Sequence, residues 1–234
     1  MELENNPYSL MQKEFYDATY LQMGGNHSEH NENPDYWELI LLDMRNDPER
    51  WRDKRALDFG CGQGRNVIHM LRSAPFFKVD GVDISEKNIE MCLSNLKKEF
   101  PGKAVRFFVN DGWDLFPIGS DIYDLVTSTI VLQHICVHAI RFNLMKEIYR
   151  VLKPGGIFSF QMGFGGSHPN TVGYFEDKWD AEGTNSHCDV RIDNPEDLTN
   201  ELRKIGFDSV TSVVKSSRGL DRHGEWIFVT CVKP

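Results

Sequence analysis

The stretch Ala56-Leu57-Asp58-Phe59-Gly60-Cys61-Gly62-Gln63-Gly64-Arg65-Asn66 constrains the fold more than any other part of the chain. Its apolar lead-in reads as a buried strand ending at Asp58, and Val67, Ile68 and Leu71 then recur at helical spacing. Three alternating glycines lie between, where a turn can bring bare backbone against a ligand. A strand that passes into a helix this way aims the helix N-terminus and its free N–H groups at whatever binds there.

From Arg55 onward, strand-like and helix-like segments alternate, the pattern of a parallel sheet covered by helices. Residues 76–84, 105–109, 123–130 and 157–162 read as the second to fifth strands. Ser85 is a candidate cap for a helix whose Ile89, Cys92, Leu93, Leu96 and Phe100 share one face, and Pro101-Gly102 stops it. Another helix runs to Leu152 and meets a sharp turn at Lys153-Pro154-Gly155-Gly156. Asn194 caps a helix ended by Gly206. Residues 209–214 and 226–232 then read as two closing strands, near enough in the chain to pair antiparallel.

This organisation predicts an N-terminal helical cap or lid over residues 1–53 and an α/β domain over 54–234. Within the cap, Trp37, Ile40, Leu41 and Met44 predict an amphipathic helix starting near Pro34, after a loop at 24–33. Residues 163–189 are rich in glycine and aromatics without a clear period, and read as an insertion on the substrate side.

With 234 residues, 40% hydrophobic and 26% charged, the composition is that of a soluble globular chain able to bury a substantial core. No apolar run approaches the roughly 18 residues of a membrane span. The acidic, polar first residues fit neither a secretory signal nor a transit peptide. Five scattered cysteines without a Cys-x-x-Cys pair argue against a disulfide framework and for a reducing cytoplasm. His27 with His30, and His168 with His187 and Cys188, lack trustworthy ligand spacing, so no metal is expected. A net charge of −9, with no basic cluster beyond Lys97-Lys98, disfavours nucleic acid as a partner. A small-molecule substrate and no membrane are expected, with the oligomeric state open.

In an open parallel sheet, ligands bind beyond the carboxyl ends of the strands, where Asp58, Asp83, Asp111 and residues 128–134 all fall. Asp83 lies 19 residues after Gly64, close to the separation at which an acid takes up ribose hydroxyls. A carboxylate suits that task because it accepts two hydrogen bonds from a vicinal diol, and Asp111 could accept from an exocyclic purine amine. The glycines read Gly-x-Gly-x-Gly, not Gly-x-Gly-x-x-Gly, with Asp58 two residues ahead. A carboxylate at that turn repels a pyrophosphate and suits an ammonium. The ligand expected is a nucleoside without phosphates that carries a positive group.

Together these residues resemble the class I S-adenosylmethionine-dependent methyltransferases. Asp58-Phe59-Gly60-Cys61-Gly62-Gln63-Gly64 is similar to the family's glycine-rich first motif, and Gly81-Val82-Asp83-Ile84-Ser85 to its acidic second one. Asn110-Asp111-Gly112 resembles the adenine-contacting motif, Tyr123-Asp124-Leu125-Val126 with Leu132-Gln133-His134-Ile135 the fourth-strand motif, and Leu152-Lys153-Pro154-Gly155-Gly156 the turn before the fifth strand. The resemblance implies a Rossmann-like, mostly parallel seven-stranded sheet with helices on both faces and an antiparallel last strand. It also implies S-adenosyl-L-methionine as cofactor.

Carried over by position, Asp58, Gly60, Cys61, Gly62 and Gly64 would face the methionine part of the cofactor, and Asp83 would hold the ribose. Ile84 and Trp113 would flank the adenine, with Asp111 and Gly112 at its edge, and the Thr129 backbone would approach the methionine ammonium. Gln133 could touch cofactor or acceptor, or only satisfy backbone. His134 is the candidate general base; its alternatives are starting the next helix or packing under the cofactor. Arg65 could meet an acidic acceptor or lie exposed. Tyr16, Tyr20, Trp37, Tyr174 and Trp179 are lid candidates by location, with core packing as the alternative. The expected function is methyl transfer to a small molecule, oxygen ahead of nitrogen or sulfur. A lyase or cyclase using the same cofactor, and a non-catalytic partner subunit, are the alternatives.

Overall fold

The apolar strand segments pair into one sheet in the computed structural model, which describes residues 7–21, 33–103, 105–166, 171–177, 189–219 and 223–234. Strands β1 (Arg55–Phe59), β2 (Lys78–Asp83), β3 (Phe107–Val109), β4 (Tyr123–Ser128) and β5 (Leu152–Phe164) run parallel in the order β3-β2-β1-β4-β5. The strand order reverses between β1 and β4, and at such a switch point the flanking loops part to leave a crevice.

Between the strands lie α2 (Arg65–Ser73), α3 (Glu86–Glu99) and α4 (His138–Val151). The Ser85 hydroxyl accepts from the Asn88 N–H to cap α3, and Asn194 caps α5 (Pro195–Ile205) by accepting from Glu196. At the far edge β9 (Glu225–Val232) pairs antiparallel with β5, from Ile157↔Val232 to Phe164↔Glu225, and β8 (Asp208–Ser216) pairs antiparallel with β9. The seven expected strands are therefore present, with the last one reversed.

Two further strands occupy part of the segment read as irregular. β6 (Thr171–Gly173) and β7 (Asp189–Ile192) pair with each other, and β7 pairs with Gly163 and Phe164 of β5. β5 reaches this far because it outruns β4, whose last partner is Phe160; β7 takes up the exposed edge. Strands of three and four residues are too short to show a two-residue period. The Lys153-Pro154-Gly155-Gly156 turn is likewise absorbed into β5 as an irregularity in its pairing with β4, between Tyr123 and Leu125.

Alternation along the strands sorts the core onto two faces. Leu57, Val126, Phe158 and Phe160 pack with Leu144 and Ile148 of α4 and Leu198 and Leu202 of α5. Ala56, Leu125, Trp226 and Phe228 pack with Val67 and Met70 of α2, Ile89 and Cys92 of α3, and residues 36–51. The helix expected from Pro34 begins there but is short, ending in one wide helical turn, Tyr36–Ile40. Leu42 and Asp43 have φ of 49° and 53°, which no helix can continue through. The Ser159 hydroxyl bonds the Leu39 and Ile40 carbonyls at 2.9 and 3.0 Å, pinning the turn to the sheet.

The N-terminal segment thus has two parts. Residues 36–51 cover a sheet face, while α1 (Pro7–Thr19) lies across the carboxyl ends of the strands. Tyr8 of α1 donates to the His134 carbonyl at 2.8 Å and accepts from the Cys136 N–H at 2.7 Å. Asp17 accepts from the Ser85 hydroxyl at 2.6 Å, Lys13 pairs with Glu86, and Gln63 donates to the Tyr20 carbonyl. One helix therefore bridges the loops after β1, β2 and β4.

Candidate active site

The glycine loop is tied to β2 before any ligand is considered. Gly60 and Cys61 donate N–H bonds to the Val82 carbonyl at 2.8 and 3.0 Å. The Gly62 N–H reaches Asp83 Oδ2 at 2.8 Å, and Ser85 N–H reaches Oδ1 at 2.9 Å. Each oxygen of Asp83 keeps lone-pair capacity for a further donor. Burial raises the pKa of this carboxyl, and the two backbone donors oppose that shift.

Two glycines are needed for opposite reasons. A Cβ at Gly60 would sit 2.2 Å from a Val131 methyl, so the loop is in close contact there. At Gly62, with φ of +50°, a Cβ would meet nothing within 4 Å among the described residues. Gly62 therefore borders open space on the side a ligand would enter. Gly64 backs onto Cys92 of α3, and the small, buried Cys61 lies beneath the loop.

Asp58 is 1% exposed and centres a buried network on the opposite side of the loop. Its Oδ1 accepts from Asn66 Nδ2 at 2.8 Å and Thr127 Oγ1 at 2.9 Å. Asn66 Nδ2 also reaches Thr129 Oγ1 at 2.5 Å, and Tyr36 donates to Asn66 Oδ1 at 2.5 Å. Burial pushes the Asp58 carboxyl up to about 7, against the pull of the Asn66 and Thr127 hydrogen bonds. With Oδ1 taken, Oδ2 is the oxygen available to a cation. Asn66 and Tyr36 were not singled out from the sequence. Asn66 closes the glycine stretch, two residues past Gly64, and that position was the available signal.

On the β2 and β3 side, Gly112 packs so closely that a Cβ would lie 2.9 Å from both Ile84 Cδ1 and Ser9 Cβ of α1. Trp113 is half-buried beside them. Asp111 is exposed, and its Oδ1 is engaged by its own loop, accepting from Trp113 N–H at 2.8 Å and Asp114 N–H at 3.0 Å. A purine amine would have to use its other oxygen.

On the β4 side, Gln133 is fully buried, and the His134 side chain is 30% exposed. His134 Nδ1 lies 2.6 Å from Oδ1 of the buried Asp189 at the start of β7. Asp189 Oδ2 is 3.9 Å from Nε2 of His223, which is also buried. Asp189 escaped the sequence reading because it stands 55 residues from its partner, at the end of a stretch without a period.

The lid candidates divide. Tyr16 and Tyr20 belong to α1 and the turn after it. Burial, and the carboxylates of Asp83 and Asp189, raise the Tyr16 phenol above its usual range. Trp37 does not form part of a lid: it is buried between Arg45, 3.1 Å from its ring centroid, and His69. Tyr174 is also a core residue, its hydroxyl bound to Glu201 and its ring 4.7 Å from the Arg141 guanidinium. Arg65 is half-buried, with its guanidinium 5.5 Å from the Tyr36 ring centroid. Trp179, His27, His30, His168, His187 and Cys188 lie outside the described residues.

Residues 56–156 match the family model of a methyltransferase domain. The demethylmenaquinone methyltransferase of Leptospira interrogans is 33% identical over 106 residues, 44% of this chain and 40% of that protein. The chain spans about two fifths of the length of the curated relatives it matches first. Among solved structures, it is similar to Haemonchus contortus phosphoethanolamine N-methyltransferase 2 in complex with S-adenosyl-L-methionine, with a TM-score of 0.64 and 20% identity over 95% of this chain and 60% of that one. It is also similar to the [4+2]-cyclase SpnF, with a TM-score of 0.61 and 21% identity over 83% and 80% of the two chains. At these identities the structural likenesses establish the fold.

Proposed function

We propose that the chain is a class I S-adenosylmethionine-dependent methyltransferase, as the methyltransferase-domain match and the similar relatives support, and that it methylates a small molecule, with oxygen as the acceptor atom. The observation that carries the reading is the His134–Asp189 pair, held at 2.6 Å beside the crevice that the glycine loop borders. An oxygen nucleophile gains from a base that removes its proton, and a histidine oriented by a buried carboxylate is built for that task.

The residues present fit S-adenosylmethionine. Open space at Gly62 admits the ligand, and Asp83 offers both oxygens to a ribose diol. Asp58 Oδ2 would hold the ammonium, with Oδ1 already taken by Asn66 and Thr127. Ile84 and Trp113 are placed to flank the adenine, with Asp111 and Gly112 at its edge. Thr129 and Gln133 close the methionine end. When bound, this cofactor supplies an electrophilic methyl on a sulfonium.

Asp189 accepts the Nδ1 proton of His134, which leaves Nε2 as the basic nitrogen for the acceptor hydroxyl. The helix α1, with Tyr16 and Tyr20, excludes water from the reacting atoms. We assign residues 1–53 to the cap and 54–234 to the catalytic domain. The small acceptor and acidic surface suit a cytoplasmic enzyme without nucleic-acid partners. Among the described residues no helix is long and apolar enough to cross a membrane.

Incubation with S-adenosylmethionine and a panel of hydroxyl, amine and thiol acceptors tests the reading through release of S-adenosylhomocysteine. Turnover restricted to hydroxyl compounds is expected. Cofactor binding without turnover on any acceptor, or turnover of amines alone, would overturn it.

A further inference from the structure

Next to the proposed base, β5 carries a buried amide that the transfer step does not use. Gln161 is 2% exposed, and its Nε2 has no hydrogen-bond partner among the described residues. A buried donor in that state is costly unless a ligand or water meets it. The register fixes its neighbourhood. Thr127 pairs with Ser159 and Ser128 with Phe160, so Gln161 lies alongside Thr129, immediately beyond the end of β4. Its side chain shares a face of β5 with Ser159 and Gly163. Through the pairing of Asp58 with Thr127, that face also carries the Asp58 network. Gln161 is therefore one step from the end of the crevice assigned to methionine.

The second element of the patch is His223. A Cβ at Gly163 would fall 2.2 Å from its ring, so the imidazole packs directly on the β5 backbone two residues past Gln161. His223 Nε2 lies 3.9 Å from Asp189 Oδ2, and Asp189 Oδ1 holds His134. His134, Asp189, His223 and Gln161 thus follow one another around the ends of β4 and β5. The one carboxylate of the group is flanked by two imidazoles, and the amide N–H can only donate. Such a patch presents an unengaged N–H to an oxygen that accepts hydrogen bonds.

We propose that Gln161 and His223 form a second acceptor contact, which selects small molecules with a carbonyl or carboxylate group attached to the carbon next to the one that carries the methylated hydroxyl. The proposal rests on the methyl-transfer reading above and adds the substrate class. With the hydroxyl at His134, the neighbouring oxygen reaches Gln161 Nε2. An isomer with its two oxygens far apart satisfies only one of these groups.

The test is calorimetric binding to the full chain saturated with S-adenosylhomocysteine. Four probes are used: 2-hydroxybenzoate and 2-hydroxyacetophenone, and the 4-hydroxy isomer of each. Both 2-hydroxy isomers should bind about tenfold more tightly than their partners, as expected for one hydrogen bond to a buried donor. A preference confined to the benzoate pair assigns the contact to a carboxylate, and one confined to the acetophenone pair assigns it to a carbonyl. Gln161→Met, which keeps the volume and removes the donor, should erase the preference with S-adenosylhomocysteine affinity unchanged; His223→Gln should reduce it. Equal binding of the isomers to the natural chain, or a preference that survives Gln161→Met, overturns the proposal and leaves methyl transfer intact. Failure of the natural chain to bind S-adenosylhomocysteine removes the functional reading and this inference with it.

Discussion

The two halves of the crevice are built differently. On the β1–β2 side, several of the groups that meet are near neighbours in the chain: Ser85 and Asp83 are two residues apart, Asn66 and Asp58 eight, and Gly62 and Asp83 twenty-one, with Thr127 joining from β4 and Thr129 from just past its end. On the β4–β5 side, His134 finds Asp189 across 55 residues, and Tyr8 reaches the His134 carbonyl across 126. The first half is a set of strand-to-helix turns that carry their own hydrogen bonds. The second is assembled by packing and depends on the ends of three strands and a helix arriving together. A half built from local turns suits a constant ligand, and a half built from distant segments can vary its occupant without disturbing the turns.

The sharpest way to break this division is His134→Ala. We expect kcat to fall by about 10²–10⁴, the usual contribution of a positioned base, while calorimetry finds S-adenosylhomocysteine affinity unchanged. Equal losses in both would mean that the halves are one unit. Asp83→Ala should do the converse. Removing a carboxylate that accepts two ligand hydrogen bonds should weaken S-adenosylhomocysteine by about 10²–10⁴-fold, from roughly 1.5–3 kcal/mol per charge-assisted bond, with little change in kcat at saturating cofactor.

Gly60→Ala probes the seam between the halves, because the new Cβ would press on Val131, which follows β4. Overpacking of this kind costs about 1–3 kcal/mol, read from the denaturation midpoint. Val131→Ala in the same chain should recover part of the loss. No recovery would place the strain within the glycine turn alone.

The smallest effect is the pH dependence of the Asp58 network. Burial raises this acid from 3.8 to about 7, so between those values the folded chain holds a proton that the unfolded chain has released. Its contribution to stability therefore falls as pH rises from about 4 to about 7 and levels off above. Asp58→Asn should make the urea-denaturation profile shallower in that window. Part of the slope should remain, because burial raises Asp83 in the same direction. A profile unchanged by the substitution would show that Asp58 is already ionised in the fold.

Much of the first half was legible because its physics is local. A glycine at a strand end, an acid ending the next strand and a serine one helical turn before an apolar face each act on groups a few residues away, and Ser85 caps α3 as its spacing predicts. The helix expected from Pro34 stopped short because periodicity reports a buried face without reporting its backbone. Trp37, Ile40, Leu41 and Met44 are all buried, yet the left-handed Leu42 and Asp43 end the helical turn among them. Trp37 and Tyr174 misled for the same reason. An aromatic near a crevice in the chain is not thereby at its mouth, and both found partners in the core.

The residues alone therefore specified a parallel α/β sheet, its antiparallel closing strand and the acids at its strand ends, since each follows from side-chain period and turn chemistry within one strand-helix unit. Folding in three dimensions brought Asp189 to His134, laid His223 on Gly163 and carried α1 over the strand ends. These are meetings between segments that leave no pattern in either sequence. They depend on how far β5 outruns β4 and on what then covers its free edge.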